Sequence, residues 1–176
     1  MNFDLQPLLE NDLLILRPLK AEDFECLFLA ASDPLIWEQH PIKDRWLRTG
    51  FTPFFEEAQA SKSAFLVIDK KSGEVIGTTR FSPVSNLENS ISIGWTFLVR
   101  KYWGGKYNRS MKMLMINYAF EFVDHILFHV NENNIRSQEA VKKIGGRIIT
   151  VLENQVLEPR PLSTVIFAIS RENFSL

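Results

Sequence analysis

A chain of 176 residues and 20.4 kDa has room for one well-cored domain, whereas two would each be small and thinly cored. Hydrophobic residues make up 45% and charged residues 23%, with 14 Phe and 4 Trp, a balance that fills a core and excludes a disordered chain. Twenty Lys and Arg against 21 Asp and Glu give a net charge of -1 and a pI of about 6.3, so no overall field recruits nucleic acid or an anionic membrane, and any anion site has to be local. Cys26 is the single cysteine, which excludes an internal disulfide framework and a multi-cysteine metal cage and points to a reducing compartment, by default the cytoplasm. Met1 to Asp12 carries acids and no basic residue ahead of an apolar run, and no stretch approaches the ~18 apolar residues of a membrane span, so neither secretion nor membrane insertion is expected.

No internal repeat, low-complexity run or linker divides the chain. Leu14 to Arg17 reads as a short strand stopped by Pro18, and Phe24, Leu27, Phe28 and Ala31 then fall at the i, i+3, i+4 and i+7 spacing of a helix. Cys26 lies within that helix and is expected to be a small buried thiol. Asp33 to Pro53, interrupted by three prolines, reads as a loop-rich segment leading into a helix from about Phe54 to Ala60. Ala64 to Asp69 and Glu74 to Ser82 read as strands joined by a hairpin turn at Lys70, Lys71, Ser72 and Gly73. Ile91, Ile93, Trp95 and Phe97 alternate with Ser90, Ser92, Gly94 and Thr96, the period of a half-buried strand. Lys106 to Val123 changes to helical period with two neighbouring apolar stripes, so that helix is expected to be buried against a sheet. Ile126 to Val130 reads as a strand, Asn134 to Ile144 as a helix ended by Gly145 and Gly146, and Arg147 to Leu152 and Ser163 to Ser170 as two more strands. The pattern predicts an α+β fold, a mixed and mostly antiparallel central sheet flanked by helices.

Five basic residues, Arg100, Lys101, Lys106, Arg109 and Lys112, lie together with no acid among them and none before Glu121. They surround Gly104 and Gly105 at the start of the long helix. Free backbone amides at a helix N-terminus, reachable because glycine has no side chain, make an anion site that suits a phosphate or pyrophosphate. A Gly-Gly turn followed by a solvated basic helix start explains the same residues, and both readings stay open on this segment alone.

The wording of the C-terminal half resembles the GNAT superfamily of N-acetyltransferases and, within it, the ribosomal-protein-alanine acetyltransferase branch. The residues that carry the resemblance are Tyr102, Trp103, Gly104, Gly105, Lys106, Tyr107 and Asn108, then Tyr118, Ala119 and Phe120, then Asn134, Ile135, Arg136 and Ser137, and last Lys143, Ile144, Gly145 and Gly146. Leu16, Arg17 and Pro18 with Glu22 and Asp23, and Val75, Ile76 and Gly77, agree more loosely, so the resemblance covers about residues 13 to 170. It departs at Lys106, where the family's second loop glycine stands, at Asn108, at Gly146 in place of a phenylalanine, and at Val141, where many members carry a tyrosine.

The resemblance implies a single domain over 1–176 that moves acetyl from acetyl-CoA to a primary amine by direct transfer. In the family the cosubstrate lies in a V-shaped opening between the strands here read as Ile91 to Leu98 and Ile126 to Val130. Phe97, Leu98 and Val99 would then meet the pantetheine arm, Gly104, Gly105, Lys106, Tyr107 and Asn108 the diphosphate, and Arg136, Lys143 and Asn134 other parts of the cofactor. Arg136 and Lys143 also fit ordinary surface charge, and Asn134 a helix cap. Direct transfer needs no enzyme nucleophile, and the chain has no G-x-S-x-G. With the tyrosine absent, Ser137 resembles the serine that offers a proton to the CoA sulfur; helix capping with Asn134 explains it too. His129 either accepts a proton from the amine or is a satisfied core histidine. Its spacing of four from His125, on a strand pattern without acidic companions, argues against a metal site. Glu38, His40, Asp44 and Glu88 fall in segments that line the family's acceptor side, while Trp37, Trp46, Phe51, Phe54 and Phe55 either shape that side or simply pack the first helices. The partner implied is an amine, on a peptide or a small molecule, with no nucleic acid and no membrane, and homodimerisation stays open. Two competing expectations are a catalytically silent acyl-CoA-binding module and a purely structural turn.

Overall fold

The computed structural model describes residues 3–84, 87–157 and 160–174. Its elements in chain order are β1 (Leu9–Glu10), β2 (Leu14–Pro18), α1 (Phe24–Ala31), α2 (Arg48–Ala60), β3 (Ala64–Asp69), β4 (Val75–Pro83), β5 (Ser90–Leu98), α3 (Lys106–Ala119), β6 (His125–Asn131), α4 (Ile135–Lys142), β7 (Arg147–Leu157) and β8 (Arg160–Ser170). Among the described residues the eight strands form one sheet in the order β1-β2-β3-β4-β5-β6-β8-β7. Every neighbouring pair is antiparallel except β5 and β6, which run parallel. The α+β class expected from the sequence is the class observed.

Two cores follow from burying the sheet on both faces. On one face Leu27 of α1 and Phe51, Phe54, Phe55 and Ala58 of α2 pack with Trp37, Leu66 and Phe97; on the other Met111, Met115, Ile116 and Ala119 of α3 pack with Phe65, Val67, Ile76 and Phe81. β3 is therefore buried almost along its length, and a side chain such as Leu66, fully removed from water, contributes about 2 kcal/mol. Gly77 on β4 is dictated by the close approach of β5, since a Cβ there would lie 2.0 Å from the Phe97 carbonyl oxygen.

Several boundaries differ from the sequence expectation. α2 begins at Arg48 and runs through Pro53. Phe51, Phe54, Phe55 and Ala58 make a continuous i, i+3, i+4, i+7 stripe whose burial outweighs the one amide proline lacks. α3 ends at Ala119, where the chain turns back so that the Phe122 and Val123 amides bond to the Ala119 carbonyl. β7 and β8 extend into a longer hairpin than expected, and the two-residue β1, pairing with Leu16 and Ile15, adds an edge strand too short to show a period. Cys26 is exposed, because α1 turns Leu27 and Ala31 inward and the thiol lies on the opposite side, donating to the Asp23 carbonyl at 3.2 Å. The alternation of β5 holds only as far as Ile93: Ile91 and Ile93 pack on the α3 face, whereas Trp95 is exposed and Phe97 packs on the α1/α2 face. Arg80 faces Gly94 and Thr78 faces Phe97, so Trp95 and Thr96 together oppose Thr79: a β-bulge, with Trp95 at φ 49°.

Candidate functional site

The parallel pairing of β5 with β6 is short: Ser90, Ile91 and Ser92 face His125, Ile126 and Leu127, and the register ends there. Beyond it β5 stays with β4 and β6 stays with β8 as far as Asn131, so the two strands part. The bulge at Trp95 and Thr96 bends β5 at the start of this opening. Parallel strands that separate toward their carboxyl ends leave a crevice in which ligands bind in α/β sheets generally.

β5 leads into a tight turn, with the Tyr102 amide donating to the Val99 carbonyl and the Trp103 amide to that of Arg100, and then into α3. Gly104 takes φ 69°, a left-handed value that favours glycine, and Gly105 is the extended N-cap. Among the described residues no side chain caps α3, its first turn holds no acid, and a Cβ at Gly104 or Gly105 would meet nothing within 4 Å. The amides of Lys106, Tyr107 and Asn108 therefore stand at an open helix N-terminus.

The turn is tied down from below. Lys101 Nζ donates to Glu74 at 2.6 Å, Tyr102 Oη to the same carboxylate at 3.1 Å, and Tyr107 Oη to Asp69 at 2.9 Å, with the two tyrosine rings 4.6 Å apart. Lys101 holds Glu74 below the usual carboxylate range, and Ser72, with Tyr107, does the same for Asp69. Arg100 pairs with Asp33. Of the five basic residues, Lys106, Arg109 and Lys112 have no carboxylate within 4 Å among the described residues.

Phe97, Leu98 and Val99 differ in what they offer. The Val99 amide donates to the Ile76 carbonyl at 2.8 Å, and antiparallel alternation then gives Phe97 to Thr78 and turns the main-chain groups of Leu98 toward the opening. The Leu98 carbonyl accepts Trp103 Nε1 at 2.7 Å. Arg136 stacks its guanidinium 3.9 Å over the Trp103 ring and donates to the Ile36 carbonyl at 2.9 Å, so α4 is joined across the mouth of the opening to the segment before α2. Burial lowers the Arg136 pKa. Lys143 lines, with Arg109, Met113 and Phe174, a cavity of about 200 Å³ between α3 and the end of α4.

Asn134 caps α4, its Oδ1 accepting from the Ser137 amide at 3.1 Å. Ser137 itself is half-buried, its hydroxyl without a hydrogen bond among the described residues. Val141, where a tyrosine would stand, is buried in the core. His129 is not a core histidine: it is exposed on β6, its Nδ1 3.2 Å from Ser92 Oγ. Glu38, Asp44 and Glu88 are exposed. His40 is pushed down to about 4 by burial and by Arg45, whose Nη1 is 3.2 Å away, so the imidazole is neutral at pH 7. Trp37, Phe51, Phe54 and Phe55 are packing residues in the core, and Trp46 is exposed.

Two charged groups beside the opening escaped sequence reasoning. Lys112 is fully enclosed on α3, its Nζ donating to Thr96 Oγ1 at 2.6 Å and Thr79 Oγ1 at 3.2 Å across the bulge, 5.9 Å from the Phe128 ring; burial lowers its pKa to about 7. The signal existed, because Lys112, Met115, Ile116 and Ala119 share the i, i+3, i+4, i+7 spacing and the apolar stripe projects back onto the lysine. Arg80, between buried Thr79 and Phe81, gave no comparable sign.

Residues 14–147 match the family model described as acetyltransferase (GNAT) domain. No curated protein matches the chain. The fold is similar to that of a GCN5-related N-acetyltransferase from Brucella melitensis, at TM-score 0.85 and 21% identity over 96% of this chain and 80% of that one. It is also similar to RimJ of Mycobacterium smegmatis in complex with CoA-disulfide, at TM-score 0.70 and 17% identity over 93% and 84%. The microcin C7 self-immunity acetyltransferase MccE, in complex with acetyl-CoA and AMP, gives TM-score 0.74 and 15% identity over 96% and 99%.

Proposed function

The chain belongs to the acetyltransferase (GNAT) family, and from that premise we propose that it is a single-domain enzyme moving acetyl from acetyl-CoA directly to a primary amine, on a peptide N-terminus or a small molecule. The observation that carries this reading is the opening between β5 and β6, ending at the uncapped N-terminus of α3. Solved structures of similar fold hold CoA-disulfide and acetyl-CoA, which supports an acyl-CoA cosubstrate. The motif wording around Trp103, Tyr118 and Ser137 supports kinship with the ribosomal-protein-alanine branch.

The residues present suit the cosubstrate at its diphosphate. The amides at Gly104, Gly105, Lys106, Tyr107 and Asn108 hold it, while Lys106 and Arg109 add charge. At the pantetheine arm Leu98 offers its amide to the opening, and Phe97 and Val99 support it from the β4 side. Arg136 and Asn134 shape the mouth. When bound, acetyl-CoA supplies the activated acyl group. Ser137 keeps a hydroxyl proton for the departing thiolate, the task a tyrosine would perform at Val141.

Thiol release from acetyl-CoA, measured with a panel of amines, tests the proposal: release that depends on the amine is expected. The buried Val141 favours a second reading, a silent acyl-CoA-binding module. Calorimetric CoA binding without release from any amine would establish that one instead.

A further inference from the structure

On the α1/α2 face of the sheet, beside the bulge, two arginines are buried with little to neutralise them. Arg80 is 4% exposed. Its Nη2 donates to Glu57 Oε1 at 2.5 Å, the Trp95 ring lies 3.6 Å from its guanidinium carbon, and Nη1 is the one buried side-chain nitrogen or oxygen without a hydrogen-bond partner among the described residues. Arg45, 8% exposed, lies 4.4 Å over the Phe54 ring with Nη1 against His40 Nε2, and among the described residues no carboxylate comes within 4 Å of it. The two cations oppose each other and draw on the same Glu57, itself largely solvated, with Asp44 acting on Arg45 at longer range. A buried guanidinium with an idle N–H is costly, and half of its planar fork remains unused.

The place is adjacent to the proposed chemistry. Arg80 pairs in register with Gly94, where a Cβ would meet nothing within 4 Å, so that face of β5 is open. Trp95, which covers the guanidinium, is held at φ 49° and is 39% exposed. One strand spacing, ~4.8 Å, separates Arg80 from β5 and hence from the wall of the opening.

Resting on the acyl-transfer reading above, we propose that Arg80, with Arg45 behind it, is a carboxylate-binding subsite for the acceptor, so that the amine substrate carries a carboxylate a few bonds from its nitrogen, as a dipeptide or short amino acid does. Glu57 pre-orients the guanidinium by holding Nη2, Nη1 takes the incoming carboxylate oxygen, and Trp95 forms the movable cover.

The test uses binding and turnover separately. N-acetylglycylglycine and its C-terminal amide are titrated by calorimetry into the CoA-saturated protein, and glycylglycine and glycylglycinamide are compared as acceptors by thiol release. We expect the carboxylate to bind at least tenfold more tightly than the amide and to be preferred at least tenfold in kcat/KM, with both preferences lost in Arg80→Gln. The wild-type comparison stands even where that variant fails to fold. Equal binding of carboxylate and amide overturns the subsite, whether or not transfer occurs. Carboxylate-selective binding without thiol release from any amine upholds the subsite and removes the transferase reading.

Discussion

Replacing Lys112 with Met probes the interior beside the opening. The folded chain holds this amine near pKa 7 by desolvation, against 10.5 in the unfolded chain. Between those values the unfolded chain binds a proton that the folded chain does not, so Lys112 makes stability rise with pH across about 7 to 10.5. At ~1.4 kcal/mol per pKa unit, the enclosed amine costs about 4 kcal/mol at pH 7. Met fills a similar volume without the charge, and the loss of the contacts to Thr96 and Thr79 returns about 1 kcal/mol each, while those two hydroxyls keep each other at 2.8 Å. The variant should therefore be more stable by about 2 kcal/mol at pH 7. Urea denaturation of both proteins from pH 6 to 9 should show the gap narrowing by about 2 to 3 kcal/mol as pH rises. A gap that stays constant with pH, or a variant less stable at pH 6, would refute the reasoning.

Gly104→Asp should weaken CoA binding at least tenfold in calorimetry, since it strains a residue at φ 69° and sets a carboxylate beside the open amides of α3. Ser137→Ala should lower kcat more than it raises KM, because its hydroxyl is otherwise unbonded; an unchanged kcat removes it from the mechanism. Asn134→Ala deletes the cap on the Ser137 amide and should cost about 1 kcal/mol in chemical denaturation. Phe54→Ala, in the aromatic cluster with Trp37, Phe51 and Phe97, should cost about 3 to 5 kcal/mol by the same measurement.

Much of this architecture is written in local periodicity. β5 as far as Ile93 and the apolar stripe of α3 follow from alternation and helical spacing because each buries one defined face, the start of α3 follows from the glycine pair, and β3, buried on both faces, reads as a short apolar run before a turn. What the residues conceal is set by tertiary contact. Trp95 obeys the strand alternation in sequence and breaks it in space, since an extra residue in β5 reverses its side. Pro53 reads as a stop, yet the aromatic stripe on both sides of it buries enough surface to carry α2 through. Cys26 has a composition suited to the core and a helical phase that puts it outside. The open helix start at Gly104 and Gly105 is legible in the sequence because it rests on the main-chain freedom of glycine. Arg80 and Arg45 could not, because nothing local distinguishes a buried guanidinium from a solvated one, and the position of Glu57 opposite Arg80 depends on how α2 lies on the sheet.

The most direct measurement is a titration of isotopically labelled protein with CoA, followed through backbone amide resonances. The amides of Gly104 through Asn108 and of Leu98 should shift together, saturating at one stoichiometric equivalent, while those of Val99 and the β2–β3 pair stay in place. Unmoved signals from Gly104 to Asn108 at saturating CoA would contradict the assignment of this turn as the diphosphate grip.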